Sequence, residues 1–176
     1  QPPSPTRRSS DPTSEHVTIS KAGPDAFAQW REQNPDTALD LAGADLTGVD
    51  LKGAKIRAAN LQGANLSGAL LGRASLAGAN LAGADLEAAD LGHASLTGAN
   101  CSGASLVYVN LFRADLNNCY LSGPTLRFCR LGRASLIGAP LARAPFRLSN
   151  LLLDIGRAHV SPPLTPLSPL PSSPSP

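Results

Sequence analysis

From Leu41 to Leu151 every fifth residue is large and apolar, twenty-three times without an insertion, and all are leucine except Ile56, Cys101 and Phe146. The residue two before each of these is alanine in sixteen of the twenty-three cases, the exceptions being Leu39, Val49, Val109, Cys119, Pro124, Cys129 and Ser149. An α-helix, at 100° per residue, would spread such leucines around its circumference, and a straight strand would throw them onto alternate faces. Neither buries them together. A chain that turns a corner once per five residues does, so the period predicts a coiled, sided solenoid.

Equivalent corners of successive coils stack and should resemble one another, which lets the sequence count the sides. At a shift of twenty residues Gly43, Gly63, Gly83, Gly103 and Gly123 align, as do Asn60, Asn80 and Asn100, and Arg73, His93, Arg113 and Arg133. A shift of fifteen mixes Gly43 with Ala58, Arg73, Ala88 and Gly103. Four pentads per coil follow. The Ala-(Asp/Asn)-Leu-X-Gly unit closely resembles the pentapeptide-repeat family, over roughly residues 39 to 153. That resemblance implies an all-β fold, a right-handed quadrilateral β-helix, and the handedness comes from it alone. Twenty-three pentads make nearly six coils, a rod roughly 27 Å long at the usual strand spacing.

Leucine and the alanine two before it are expected to point inward and form a continuous apolar column. The polar residue before each leucine and the two after it should face solvent. Glycine stands at eleven of the twenty-three corner positions, which suits a turn needing positive φ. The corner carrying Arg73, His93, Arg113 and Arg133 has side chains ill suited to positive φ, and a different turn type is expected there.

A chain of 176 residues with 16 Gly, 16 Pro and 4% aromatic residues reads as one domain with flexible ends. The formal charge is +2, there is no transmembrane run and no recognisable signal peptide, and the expectation is a cytoplasmic protein with no membrane partner. Cys101 occupies a leucine site and Cys119 and Cys129 occupy alanine sites, so all three should be buried thiols. No spacing among them, or with His16, His93 and His159, resembles a metal site, and no cofactor is indicated.

Four segments are distinguished: a disordered stretch over 1–15, an N-terminal cap over 16–38, the repeat over 39–153, and a disordered Pro/Ser-rich tail over 154–176. Gly23 to Gln33 reads as a short helix with Pro24 in its first turn and Asp25 near its positive end. Phe27 and Trp30, three apart, are placed to cover the open end of the first coil, as a solenoid requires. Residues Lys21 to Leu46 also resemble the leader of many bacterial pentapeptide-repeat domains. Pro5 to Asp11 is what a common sequencing adaptor would encode, and Ile155 to Val160 resembles a read through the opposite adaptor. The competing readings are a basic phosphorylation-type motif in the first segment and a C-terminal cap in the second. Together with the lack of methionine, this reads as a fragment whose ends are not native.

No nucleophile elbow, HExxH helix or Walker loop is present. The recurring Asp and Asn residues are a product of the repeat, so no enzyme is expected. Two features break the monotony outside. One is the basic corner column Arg73, His93, Arg113 and Arg133. The other is a set of large apolar residues in the later coils, Val107, Tyr108, Phe112, Tyr120, Phe128, Ile137 and Leu148, at sites that earlier hold Gly, Ala, Ser or Thr. The competing readings are a cap for the last coil and a solvated edge. The candidate interaction surface is Arg73, His93, Val107, Tyr108, Phe112, Arg113, Phe128 and Arg133, with an unidentified protein or a second copy as partner.

The resemblance also raises modulation of a type II topoisomerase by DNA mimicry, as in the family's quinolone-resistance proteins. Between residues 39 and 153 there are ten Lys/Arg against seven Asp/Glu, a net of +3, and none of the seven follows Asp115. A DNA mimic needs the opposite sign. Direct nucleic-acid binding lacks a recognition fold. A non-catalytic interaction or scaffold module is therefore the expectation.

Overall fold

The computed structural model of the chain describes residues 14–123, 126–139 and 159–161. Two helices precede the repeat, α1 (Ser14–Lys21) and α2 (Pro24–Gln33). Helix α1 takes in Ser14 and Glu15, which the sequence reading assigned to a disordered leader. Helix α2 begins on Pro24, where the missing N–H costs nothing, and ends at Asn34, whose backbone and side-chain amides both donate to the Trp30 carbonyl.

From Asp40 onward the chain winds into coils of twenty residues. Asp40 pairs in parallel with Asn60, Asn60 with Asn80, Asn80 with Asn100 and Asn100 with Tyr120, and the same step holds at the other three sides. Each side contributes one paired residue per coil. The turn that follows two residues later prevents longer strands, so the wall is built of single rungs. Every rung is nonetheless a full hydrogen bond: Leu46 N–H reaches the Asn65 carbonyl at 2.7 Å and Asn65 N–H reaches the Ala44 carbonyl at 2.9 Å.

The interior is the one the repeat dictates. Leu46, Leu66, Leu86, Leu106 and Leu126 form one column, none more than 3% exposed. Alanines of the second inward site are buried beside them. Cys101, Cys119 and Cys129 are buried free thiols. The Sγ of Cys119 donates to the Leu96 carbonyl at 2.8 Å and that of Cys129 to the Leu106 carbonyl at 2.6 Å. Burial pushes the Cys129 thiol up to about 12, and the hydrogen bond with Cys119, with burial behind it, raises Cys101 well above the ordinary range.

The Asp/Asn position does more than face solvent. Its Oδ1 accepts the backbone N–H two residues on, as at Asp45, Asn65, Asp85 and Asp115, forming an Asx turn that pre-shapes the corner that follows it. The amide also reaches the coil below: Asn60 Nδ2 donates to Asp40 Oδ1 at 3.0 Å and Asn110 Nδ2 to Asp90 Oδ1 at 2.7 Å. Hydrogen bonds from the Thr47 hydroxyl and backbone N–H hold the Asp45 carboxyl below its usual range.

At the N-terminal end Phe27 is fully buried and Trp30 packs partly against the same core, the capping role expected of them. The sequence reading missed His16. Its ring is 8% exposed, lies edge-on to Trp30, and its Nδ1 accepts the Asp40 backbone N–H at 3.1 Å, fastening α1 to the first rung. Arg31 ties the connection by donating to the Asn34 and Thr37 carbonyls, and burial lowers its pKa.

At the other end the register changes. Strand β1 (Ser135–Ile137) pairs in parallel with β2 (His159–Ser161), Ser135 opposite His159, a step of twenty-four residues. The expectation of a disordered tail over 154–176 fails at His159–Ser161, which form a strand against the last described coil. Residues 1–13 and the remainder of the tail lie outside the described residues.

Candidate interaction surface

Most corners are four-residue turns closed by the N–H of the residue after the corner position, as where Ala44 N–H donates to the Leu41 carbonyl at 3.0 Å. All eleven corner glycines of the repeat have positive φ, between 63° and 72°. Contrary to the expectation of a different turn, so do Arg73, His93, Arg113 and Arg133, at 57° to 60°. The reason is tertiary. Corner N–H groups donate to the coil above, Arg73 to Gly92, His93 to Phe112 and Arg113 to Gly132, at 2.9 to 3.0 Å. Keeping those bonds fixes the backbone whatever side chain it carries.

Tyr108 and Phe128 sit at the preceding corner, also left-handed, each with φ 59°. They occupy the column that begins with Gly48 and Gly68. Tyr108 N–H donates to the Arg127 carbonyl at 2.9 Å, which sets the two rings one coil apart, and they stack with centroids 5.0 Å apart and planes at 11°. Such a stack contributes about 0.5–1.5 kcal/mol beyond its buried area, yet Tyr108 remains 57% and Phe128 45% exposed.

Cations frame the rings. The Arg127 guanidinium lies 5.4 Å from the Phe128 centroid and that of Arg113 lies 5.3 Å from Phe112, with the His93 ring edge-on to Phe112 at 5.9 Å. These cation–π contacts hold the arginine stems against the rod and leave their charge outward. Val107 and Phe112 are half-buried. Val107, Tyr108, Phe112, Arg113 and Phe128 thus gather on one side of the later coils, with Arg133 one coil beyond Arg113. Arg73 stands two coils before Arg113 and is not in this cluster. With His93 it lines a shallow groove that runs to Phe112, open because Gly72 and Gly92 carry no side chains. A Cβ on Gly92 would lie 3.2 Å from both Asn110 Nδ2 and Asp90 Oδ1.

Arg127 and Arg130 belong to this surface and were not singled out from sequence. Their signal was the stretch after Asp115 without an acidic residue. Tyr120 and Ile137, both exposed, stand apart from the cluster, and Leu148 lies outside the described residues. Among the described residues no group of three His, Cys, Asp or Glu could hold a metal ion, and no helix is long and apolar enough to cross a membrane. The cysteines are buried, and the pKa values of Cys101 and Cys129 are raised. What remains is a surface suited to stacking, cation–π contact and ion pairing.

Among solved structures the chain is similar to a pentapeptide repeat protein from the thylakoid lumen of Arabidopsis thaliana, with 32% identity over 59% of this chain and 66% of that one, at a TM-score of 0.39. It is similar to the pentapeptide repeat protein Rfr23 of the cyanobacterium Cyanothece 51142, with 27% identity over 72% of this chain and 65% of that one, at a TM-score of 0.36. The chain thus spans just under two thirds of the length of each. QnrB1, a plasmid-mediated fluoroquinolone resistance protein, is 16% identical over 72% of this chain and 83% of its own, at a TM-score of 0.30. No curated protein matches. The model named Pentapeptide repeats matches in eight copies, in overlapping runs from residue 38 to residue 151. That match over well more than half of the sequence, with the twenty-residue coil of the described residues, makes this chain a member of the pentapeptide repeat family.

Proposed function

We propose that the protein is a non-catalytic interaction module that docks a protein partner on the later coils of its β-helix. The observation that carries this reading is the backbone at Tyr108 and Phe128. An L-residue in the left-handed region costs about 1–2 kcal/mol, and bulky side chains there are genuine outliers. Gly48 and Gly68 meet the same corner without that cost. Core packing does not repay it, because both rings lie outside the core with about half of their surface exposed. Strain kept for an exposed feature is the pattern expected of a contact surface.

Charge defines the partner's chemistry. Arg113, Arg127, Arg130 and Arg133 surround the rings, so a complementary face offers apolar area rimmed by carboxylates. The net +3 of residues 39–153 sets this surface against one that imitates DNA.

The test compares immobilised wild-type protein, a Tyr108→Ser/Phe128→Ser variant and a Lys52→Ser/Lys55→Ser control, each challenged with extract of the source cells. Ligands that bind wild type and the early-coil control should be lost from the aromatic variant while its melting temperature is unchanged. Equal retention by all three would overturn the reading.

A further inference from the structure

Three columns at the aromatic corner reverse character along the rod. The first turn residues run Thr47, Ser67, Glu87, Val107, Arg127, and the last is cationic where the third is anionic. The side residues run Asp50, Leu70, Asp90, Asn110, Arg130, with the same reversal. Between them Ala88 precedes Tyr108 and Phe128. The vertical alignment is given by hydrogen bonds and rungs: Ala88 N–H donates to the Val107 carbonyl, Tyr108 N–H to that of Arg127, and Asp90, Asn110 and Arg130 pair in succession. The two flanking columns are therefore charge-complementary to themselves, and the middle one size-complementary, when reversed about the coil of Val107 to Asn110.

We infer that the occupant of this surface is a second copy of the chain, lying antiparallel against the same corner with its two-fold axis at the level of Val107 to Asn110. This rests on the docking surface proposed above and names its partner. A two-fold perpendicular to both rods sets every column against itself upside down. Glu87 then meets Arg127 of the second copy, Asp90 meets Arg130, and each pair occurs twice. Phe128 falls on Ala88, where the small side chain leaves room for a ring. Tyr108 meets its own copy on the axis. A parallel dimer would set Arg127 against Arg130 and Glu87 against Asp90, and an antiparallel one shifted by a coil would lose both ion pairs. Among the described residues of one chain neither Glu87 nor Arg127 makes an ion pair, and Lys52 with Asp50, at 3.9 Å, is the pair formed.

An interface three coils deep is below the standard size, so the dimer is of the transient kind and held by exposed pairs that salt screens. Sedimentation velocity of the full chain at low and high salt tests it. Wild type should dimerise reversibly at low salt and dissociate on raising the salt. Glu87→Arg and Arg127→Glu should each weaken the dimer by about tenfold or more, and the combined reversal should restore it. That rescue is the decisive result, since an unrelated acidic partner would not be recovered by it. Wild type that stays monomeric at every concentration, or single reversals that leave the dimer intact, would overturn the proposal. A monomer whose ligands are still lost on Tyr108→Ser/Phe128→Ser would remove the second copy and leave the docking surface standing. Circular dichroism melts of each variant separate misfolding from lost association, since Glu87 and Arg127 are both exposed.

Discussion

The coils before Cys101 and those after it share one interior and differ in their skins. Leu46, Leu66 and Leu86 are as buried as Leu106 and Leu126. At one corner, however, Gly48 and Gly68 give way to Tyr108 and Phe128 in the same left-handed conformation, while the column of Gly43 stays glycine to Gly123. The lesson concerns which constraint acts where. Inward positions are set by volume and desolvation, which leave little latitude. Corner positions are set by a backbone hydrogen bond to the next coil, which imposes φ and leaves the side chain open to selection for contact.

The largest effects should fall on the interior and be alike in the two regions. Leu86→Ala and Leu106→Ala should each cost about 2–5 kcal/mol in chemical denaturation, while Glu87→Ala changes stability by about 0.5 kcal/mol or less. A much smaller loss at Leu106 would break the claim of a common interior.

The cap should act on the early coils alone. His16→Phe keeps the ring against Trp30 but removes the acceptor of the buried Asp40 N–H, at a cost of about 1–3 kcal/mol. Hydrogen exchange should quicken around Asp40 and Asn60 and stay unchanged around Asp115. Uniform quickening along the rod would mean that the coils open as one unit.

At a corner outside the aromatic cluster, strain can be read without a stacking contact. Arg73→Gly relieves a left-handed arginine at about 1–2 kcal/mol and loses part of this to the greater freedom of unfolded glycine, about 0.5–1 kcal/mol. A net gain of about 1 kcal/mol or less is expected in thermal unfolding. Destabilisation would show that the basic column makes contacts that offset its backbone cost.

An effect that is nil at neutral pH and grows only in alkali comes from the later-coil thiol Cys129. Cys129 ionises near 12 in the folded protein and at about 8.5 when unfolded. Between those values the unfolded chain holds fewer protons, so stability falls as pH rises through that window and is unaffected below it. Urea titrations from pH 7 to pH 11 should show the decline in wild type and a shallower one in Cys129→Ala. Identical slopes would remove the buried thiol as the cause.

Much of this was legible beforehand because the repeat acts through sequence-local volume. The period of five placed Leu86 inside and Glu87 outside, and the twenty-residue shift put Tyr108 beneath Phe128. What escaped notice depended on partners distant in sequence. The left-handed φ of Arg73 comes from the carbonyl of Gly92, and the role of His16 from an N–H twenty-four residues away at Asp40. Helix α1, with no clear apolar face, owes its place to that bond and to packing of Val17 and Ile19 on the core. Arg127 and Arg130 were visible as charge, but their place beside Phe128 and Asn110 required the coil.

The central claim is that the exterior of the later coils is independent of the fold and costs it stability. Thermal unfolding of Tyr108→Gly/Phe128→Gly tests this most directly. Two strained corners are relaxed and one exposed stack is lost, so the account predicts a melting temperature equal to or above that of wild type, with self-association abolished in the same samples. A marked fall in melting temperature would show that the two rings belong to the core or its cap, and would contradict the account.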